Sequence, residues 1–160
     1  MDLLKKLTQE YGPSGREDEI RELIKSECEK YADEVCTDAL GNLIVHKKGG
    51  GKKLMFAAHM DEIGAAVTYI EKEGYLRFSA VGGLYNKDLN MRKVRFANGT
   101  IGVIGCDEDN KERKIGKMYI DIGAENKEEA EKLVSVGEMC TFAGDYSEQG
   151  RNVISKALDN

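Results

Sequence analysis

Histidine is the scarcest reactive side chain in this sequence, present only at His46 and His59, whereas aspartate and glutamate together number 29. Any metal or acid–base site must therefore be rich in carboxylates. Imidazole and carboxylate come together in His59-Met60-Asp61-Glu62-Ile63-Gly64. In an extended chain residues two apart share a face, so His59 and Asp61 point to one side and Met60 and Glu62 to the other. A histidine that binds a metal through one ring nitrogen usually gives its other N–H to a carboxylate or carbonyl, which fixes the tautomer. Asp61 is placed to accept it, or to hold the local loop. Taken alone, H-x-D equally describes a strand-end histidine with a satisfied hydrogen bond.

The other candidates are weaker. Lys156-Ala157-Leu158-Asp159-Asn160 puts a carboxylate after a short apolar pair, a position where an aspartate is ordinarily a solvated charge or a cap. His46 lies in an alternating strand beside Lys47 and Lys48 and reads as an exposed strand residue, not a ligand. Asp107-Glu108-Asp109-Asn110 lacks the glycine and terminal glutamate of a calcium loop. Ser14-Gly15 and Gly82-Gly83 fit neither a phosphate-binding loop nor a nucleophile elbow. Cys28, Cys36, Cys106 and Cys140 are scattered without a CxxC pair, which excludes a thiolate zinc knuckle and suits free thiols in a reducing compartment.

Something must position His59 and Asp61. Leu3, Leu4 and Leu7 predict a first helix that Gly12-Pro13 stops. Ser14 and Glu17 have the spacing of a capping box, opening a second helix with an apolar stripe of Ile20, Leu23, Ile24, Cys28 and Tyr31. Short β-prone runs follow over 34–38, 42–47 and 54–58. The last, Leu54-Met55-Phe56-Ala57-Ala58, is continuously apolar, as expected of a strand covered on both faces, and it delivers His59 at its carboxyl end. Lys47 to Lys53 reads as a solvated hairpin tip. From Gly64 to about Gly150 the pattern becomes many short strands, with Asn98-Gly99 the clearest hairpin turn. One short helix interrupts them, capped by Asn126 and burying Ala130, Leu133 and Val134. The expectation is α/β, with a β-rich barrel or sandwich inserted into an α/β domain that resumes near Arg151.

The chain has 160 residues, a formal net charge of −5 and 41% hydrophobic content, so it can bury a core and has no general affinity for nucleic acid or anionic membrane. No apolar run approaches the roughly 20 residues of a membrane span, and the first ten residues alternate charge with leucine, unlike a signal peptide. A cytoplasmic protein is expected.

In order along the chain, Tyr-Gly-Pro-Ser-Gly-Arg-Glu at 11–17, Asp-Ala-Leu-Gly-Asn-Leu at 38–43, Ala-Ala-His-Met-Asp-Glu-Ile-Gly at 57–64, Val-Gly-Gly at 81–83, Asp-Ile-Gly-Ala at 121–124 and Lys-Ala-Leu-Asp-Asn at 156–160 resemble the dinuclear metallo-aminopeptidases. That family includes glutamyl, deblocking and tetrahedral aminopeptidases, and some members carry the label endoglucanase or cellulase M. The resemblance implies a partial α/β/α peptidase domain, residues 1–63 and 151–160, interrupted by a barrel-like dimerisation domain, residues 64–150. It makes His59 a ligand of one metal, Asp61 its catalytic supporting acid, and Asp159 the carboxylate bridging two divalent ions, zinc or cobalt and possibly manganese. Two such ions about 3.5–4 Å apart share a water, lower its pKa and polarise the scissile carbonyl.

The departures matter equally. Family members continue past the Asp-Asn step into an adjacent Glu pair, one a general base and the other a ligand, then a further acidic ligand and a distal histidine. His46 lies upstream and cannot replace that histidine. The segment Gly105 to Gly116 lacks the relatives' Pro-Pro-His stretch, and Leu89-Asn90-Met91-Arg92 stands where they have Leu-x-Gly-Gln. The resemblance therefore implies the N-terminal part of an aminopeptidase acting on peptides, inactive and weakly metal-binding by itself, and self-associating as a homodimer or larger oligomer. A non-catalytic dimerisation module is the alternative. A glycanase ranks last, because no pair of carboxyl groups placed to flank a sugar is identifiable and tryptophan is absent.

Overall fold

A computed structural model of the chain describes residues 2–159. Helix α1 (Asp2–Gln9) and helix α2 (Asp18–Cys28) are joined through Tyr11-Gly12-Pro13-Ser14. Strands β1 (Glu34–Thr37) and β2 (Leu43–His46) form an antiparallel hairpin of their own. The remaining large unit is a closed antiparallel barrel of β3 (Gly64–Ile70), β4 (Leu76–Val81), β5 (Lys93–Phe96), β6 (Ile101–Cys106), β7 (Met118–Asp121) and β8 (Met139–Phe142), in spatial order β3-β4-β7-β6-β5-β8. Helix α3 (Lys127–Leu133) packs on it, and β9 (Ser147–Gln149) and β10 (Asn152–Ile154) make a separate two-stranded hairpin. The fold is thus mixed α/β, built on a six-stranded barrel and three helices. The position 150/151 falls at the tip of the β9–β10 hairpin, and the last barrel strand ends earlier, at Phe142.

The barrel is filled by alternate inward residues: Val67, Leu76, Phe78, Val94, Phe96, Ile104, Met118, Ile120 and Cys140 are all buried. A shift in the β3–β4 register between Val67 and Tyr69 lets Ile70 also point inward, one residue out of phase with simple alternation. Asn98-Gly99 turns β5 into β6, with Gly99 at φ 88°, a conformation open to glycine without steric cost. Asn126 caps α3, its side-chain oxygen accepting from Glu129 N at 3.0 Å, and Ala130 and Val134 bury against the barrel while Leu133 stays exposed.

Several expectations need correction. Leu54–Ala58 is not a strand: no neighbour pairs with it among the described residues, and Leu54, Met55 and Phe56 are 82%, 91% and 92% exposed. An apolar run adopts a stable strand only when a ladder partner and covering layers are present. Lys47–Lys53 is consequently an exposed loop, not a hairpin tip. The Ser14/Glu17 capping box does not form; α2 begins at Asp18, the Glu17 carboxylate accepts from Gly15 N, and the Ser14 hydroxyl is engaged elsewhere. Of the α2 stripe, Ile20 is buried and Tyr31 lies outside the helix and exposed. Strand β4 is flanked by β3 and β7, and the barrel closes on itself without a free edge.

Met91 adopts φ 66° at the position where the family pattern has glycine. A side chain in that region costs about 1–2 kcal/mol relative to its ordinary conformation. The departure is local backbone strain on the exposed surface of the barrel, and the barrel tolerates it.

Candidate metal and catalytic site

The segment that carries His59 is held by the chain between the first two helices. Glu62 N donates to Gly12 O at 2.8 Å and Ser14 N donates to Glu62 O at 3.3 Å, so Pro13 and Glu62 lie in parallel register. Gly64 then enters the barrel. A Cβ there would sit 2.3 Å from the carbonyl oxygen of Cys140, a backbone atom of the neighbouring strand, so the close approach of β3 and β8 requires glycine at the end of the motif. The motif is therefore clamped on one side by Gly12–Ser14 and on the other by barrel closure.

Within this frame His59 Nδ1 lies 2.8 Å from Asp61 Oδ1 and 3.1 Å from the Asp61 carbonyl. Both are acceptors, which places the N–H on Nδ1 and leaves the Nε2 lone pair free in the neutral ring. The Ser14 hydroxyl donates to the other Asp61 oxygen. That hydrogen bond and the one from His59 hold the Asp61 carboxyl below its ordinary value. The hydrogen bond to Asp61, reinforced by its charge and that of Asp159, raises the imidazole above its ordinary value of 6.5. His59 Nε2 faces Asp159 Oδ2 at 3.7 Å. His59 and Asp159 are both solvent-accessible.

Asp159 arrives by a defined route. After β10, the Ser155 hydroxyl donates to Thr8 Oγ1 at 2.9 Å and accepts from Gln9 Nε2 at 2.7 Å. Lys156 Nζ then donates to Glu10 O at 2.9 Å and to Glu62 Oε1 at 2.5 Å. The Lys156 and Glu62 side chains are only 8% and 10% exposed, so this is a buried ion pair. Burial pushes the Glu62 carboxyl up, and Lys156 pulls it back in part. Ala157 takes φ 51°, and two residues further on Asp159 lies against His59.

The structure thus brings His59, Asp61 and Asp159 together. His46 is remote from them, its Nδ1 3.3 Å from Glu34 on the exposed β1–β2 hairpin. Asn160 lies outside the described residues. Sequence reasoning missed three residues: Ser14, assigned to a helix cap; Glu62, known only to face away from His59; and Lys156, given no role. The available signal was that all three fall inside the motifs that carry the family resemblance.

As a donor set, His59 Nε2 and the Asp159 carboxylate offer an imidazole and a carboxylate oxygen converging on one point, a type of pair that suits zinc and related divalent ions. No cluster of three or more potential ligands occurs among the described residues. Two clefts, of about 280 Å³ beside Tyr11 and Glu138 and about 520 Å³ between Leu3 and Tyr31, do not include His59. No helix among the described residues is long and apolar enough to cross a membrane.

The local electrostatics make a direct prediction. In the metal-free chain, Asp61→Asn is expected to lower the His59 pKa toward 6.5, measured by NMR titration of its ring protons in the variant and the wild type. Because the folded His59 value is raised and that of Asp61 lowered, the pair's contribution to stability is present below 6.5, is lost as pH rises through the folded His59 value, and is lost again at acid pH as Asp61 takes up its proton. An unchanged His59 titration would show that the contact does not persist in solution.

Comparison with known proteins places this geometry in context. The family model described as M42 glutamyl aminopeptidase matches residues 41–160. A putative aminopeptidase of Acetivibrio thermocellus is 54% identical over 162 residues, covering 99% of this chain and 49% of that protein. Among solved structures, an endoglucanase from Thermotoga maritima superposes with a TM-score of 0.90 at 40% identity, covering 98% of this chain and 50% of that one. The TET1 peptidase of Pyrococcus horikoshii, described as assembling into a tetrahedron or a large octahedral shell, superposes with a TM-score of 0.79 at 42% identity, covering 91% of this chain and 47% of that one. The chain spans about half the length of the curated relatives it matches.

Proposed function

The chain belongs to the M42 glutamyl aminopeptidase family, and from that premise we propose that it supplies the N-terminal half of a metal-dependent aminopeptidase site acting on peptides. Residues 1–63 and 151–160 are the part of an α/β/α peptidase domain that carries His59, Asp61 and Asp159, and residues 64–150 are an inserted dimerisation domain. The observation that carries the reading is the convergence of His59 Nε2 on Asp159 at 3.7 Å, with Nδ1 tied back to Asp61. His59 and Asp159 would hold divalent ions, zinc or cobalt or manganese. When bound, the ions supply an acidified water and a Lewis acid for the scissile carbonyl. The chain's own contribution is orientation. Asp61 fixes the imidazole's tautomer and raises the basicity of Nε2, while Ser14 holds the Asp61 carboxylate in place to do so.

Two donors are too few for tight binding, since four ligands are usual. Zinc titrated calorimetrically into the chain alone is expected to bind weakly, and His59→Ala is expected to remove that binding. Two tightly held ions per chain would defeat this assignment.

Self-association is the second element of the proposal. Edge strands do not drive it, because the barrel is closed. Support comes from the assemblies described for the TET1 peptidase and from exposed apolar side chains on the β-rich unit, Tyr69, Tyr85, Met91, Ile101 and Val136. Light scattering at high concentration is expected to give a mass of at least a dimer, closed symmetric pairs being the simplest assembly. A strict monomer would count against a dimerisation role for residues 64–150.

A further inference from the structure

We propose that the buried Glu62–Lys156 ion pair is a positioning device that sets the separation between His59 and Asp159. The inference rests on the metal-site reading above and assigns a role to two residues that do no chemistry themselves. His59 and Asp159 belong to segments that no regular element joins: one follows an exposed run, the other follows the β9–β10 hairpin. Apart from the solvent-accessible approach of His59 to Asp159 itself, the Lys156 ammonium is the charged group that ties the two segments together among the described residues. It grips Glu62 Oε1 at 2.5 Å on one segment and belongs to the other, while its contact with Glu10 O at 2.9 Å anchors both to the end of α1.

Alternation makes this placement effective. Glu62 follows Asp61, so its side chain leaves the backbone on the face opposite His59 and Asp61, and Lys156 can hold it there without entering the site. Asp159 then lies against His59 within three residues of the anchor. Three residues reach at most about 10 Å, so a fixed Lys156 confines Asp159 to a small volume beside Nε2. Stability alone does not explain two buried charges, because an apolar pair of similar volume often serves as well or better. Directional hydrogen bonds to two different segments are what an apolar pair cannot supply.

The test uses the full chain and two variants, Glu62→Leu/Lys156→Met and Glu62→Gln, with melting temperature, zinc affinity and the backbone order parameter of Leu158 read on each. The double variant is expected to melt no lower than the wild type. The Leu158 order parameter is expected to fall from about 0.8 to below 0.6, and zinc affinity about tenfold or more, as for other groups that orient a ligand. Glu62→Gln, which keeps an acceptor for Lys156, should move both readings in the same direction by less, and it decides the matter where the double variant does not fold. A folded variant with wild-type order and affinity overturns the proposal, as does a wild-type Leu158 already below about 0.6. Where zinc binds too weakly to titrate, the order parameter decides. His59→Ala separates the two ideas: zinc binding that survives it defeats the metal-site reading and leaves the order-parameter result standing.

Discussion

Assayed alone with zinc or cobalt, this chain is expected to release no measurable product from aminoacyl chromogenic substrates. Mixed with a separately expressed chain that supplies the other half of the relatives' length, it is expected to turn over, and His59→Ala should remove that turnover. The reason lies in how its carboxylates are used. Asp61 accepts from both His59 and Ser14, Glu62 is buried against Lys156, and Asp159 faces His59. A general base must be within hydrogen-bonding reach of the proton it takes, and such a base contributes about 10²–10⁴-fold. None of the three is free to serve, and the Glu pair that would do so belongs, by the family pattern, to residues beyond the Asp-Asn step. Preorganised stabilisation of the developing oxyanion is worth about another 10²–10³-fold and needs the second ion's ligands. Turnover by the chain alone that disappears in His59→Ala would mean that the base lies within these residues and that the site is misassigned. Turnover by the mixture that survives His59→Ala would remove the imidazole from the mechanism.

How much of this could be read from the residues follows physical lines. The barrel strands were legible because each buries one face, so Val94 and Phe96, or Leu76 and Phe78, alternate with polar neighbours, and Asn98-Gly99 forces the reversal between β5 and β6. The Asn126 cap was legible because capping is local, completed within three residues. The same local logic failed at Ser14, where a tertiary partner, the Asp61 carboxylate 47 residues away, outcompeted the helix end for the hydroxyl. Leu54–Ala58 misled because continuous hydrophobicity reports a demand for burial and not its satisfaction. The β9–β10 hairpin gave no signal, its strands Ser147–Gln149 and Asn152–Ile154 being three residues each, too short to show a period, and the first of them wholly polar. His59 and Asp61 could be paired from their spacing alone. Asp159 was tied to them by family resemblance, and Glu62 with Lys156, 94 residues apart, by nothing but the fold.

That buried pair is also where single substitutions should cost the fold most. Lys156→Met leaves the Glu62 carboxylate buried without its cation, and breaking one side of such a pair costs about 3–5 kcal/mol. For a chain of this size that corresponds to a fall in melting temperature of about 10 °C. Glu62→Leu is expected to cost a similar amount by stranding the ammonium, whereas the double variant should be near neutral, so the two single effects do not add. The pH dependence separates a stranded charge from simple loss of packing. Burial already raises the Glu62 carboxyl above 4.5 in the folded chain, and removing Lys156 takes away the leading group that opposes this. With a raised folded value the native state holds its proton more tightly than the unfolded state does. The associated stability is present in full below 4.5 and is lost as pH rises through the folded value. Lys156→Met should therefore recover part of its lost stability between neutral pH and about pH 5, relative to wild type, and Glu62→Leu/Lys156→Met should not. Thermal melts of the three variants across that range make the measurement. If Lys156→Met melts with the wild type at neutral pH, or its deficit stays constant on acidification, then the two groups are solvated and carry neither the cost nor the coupling that their burial implies.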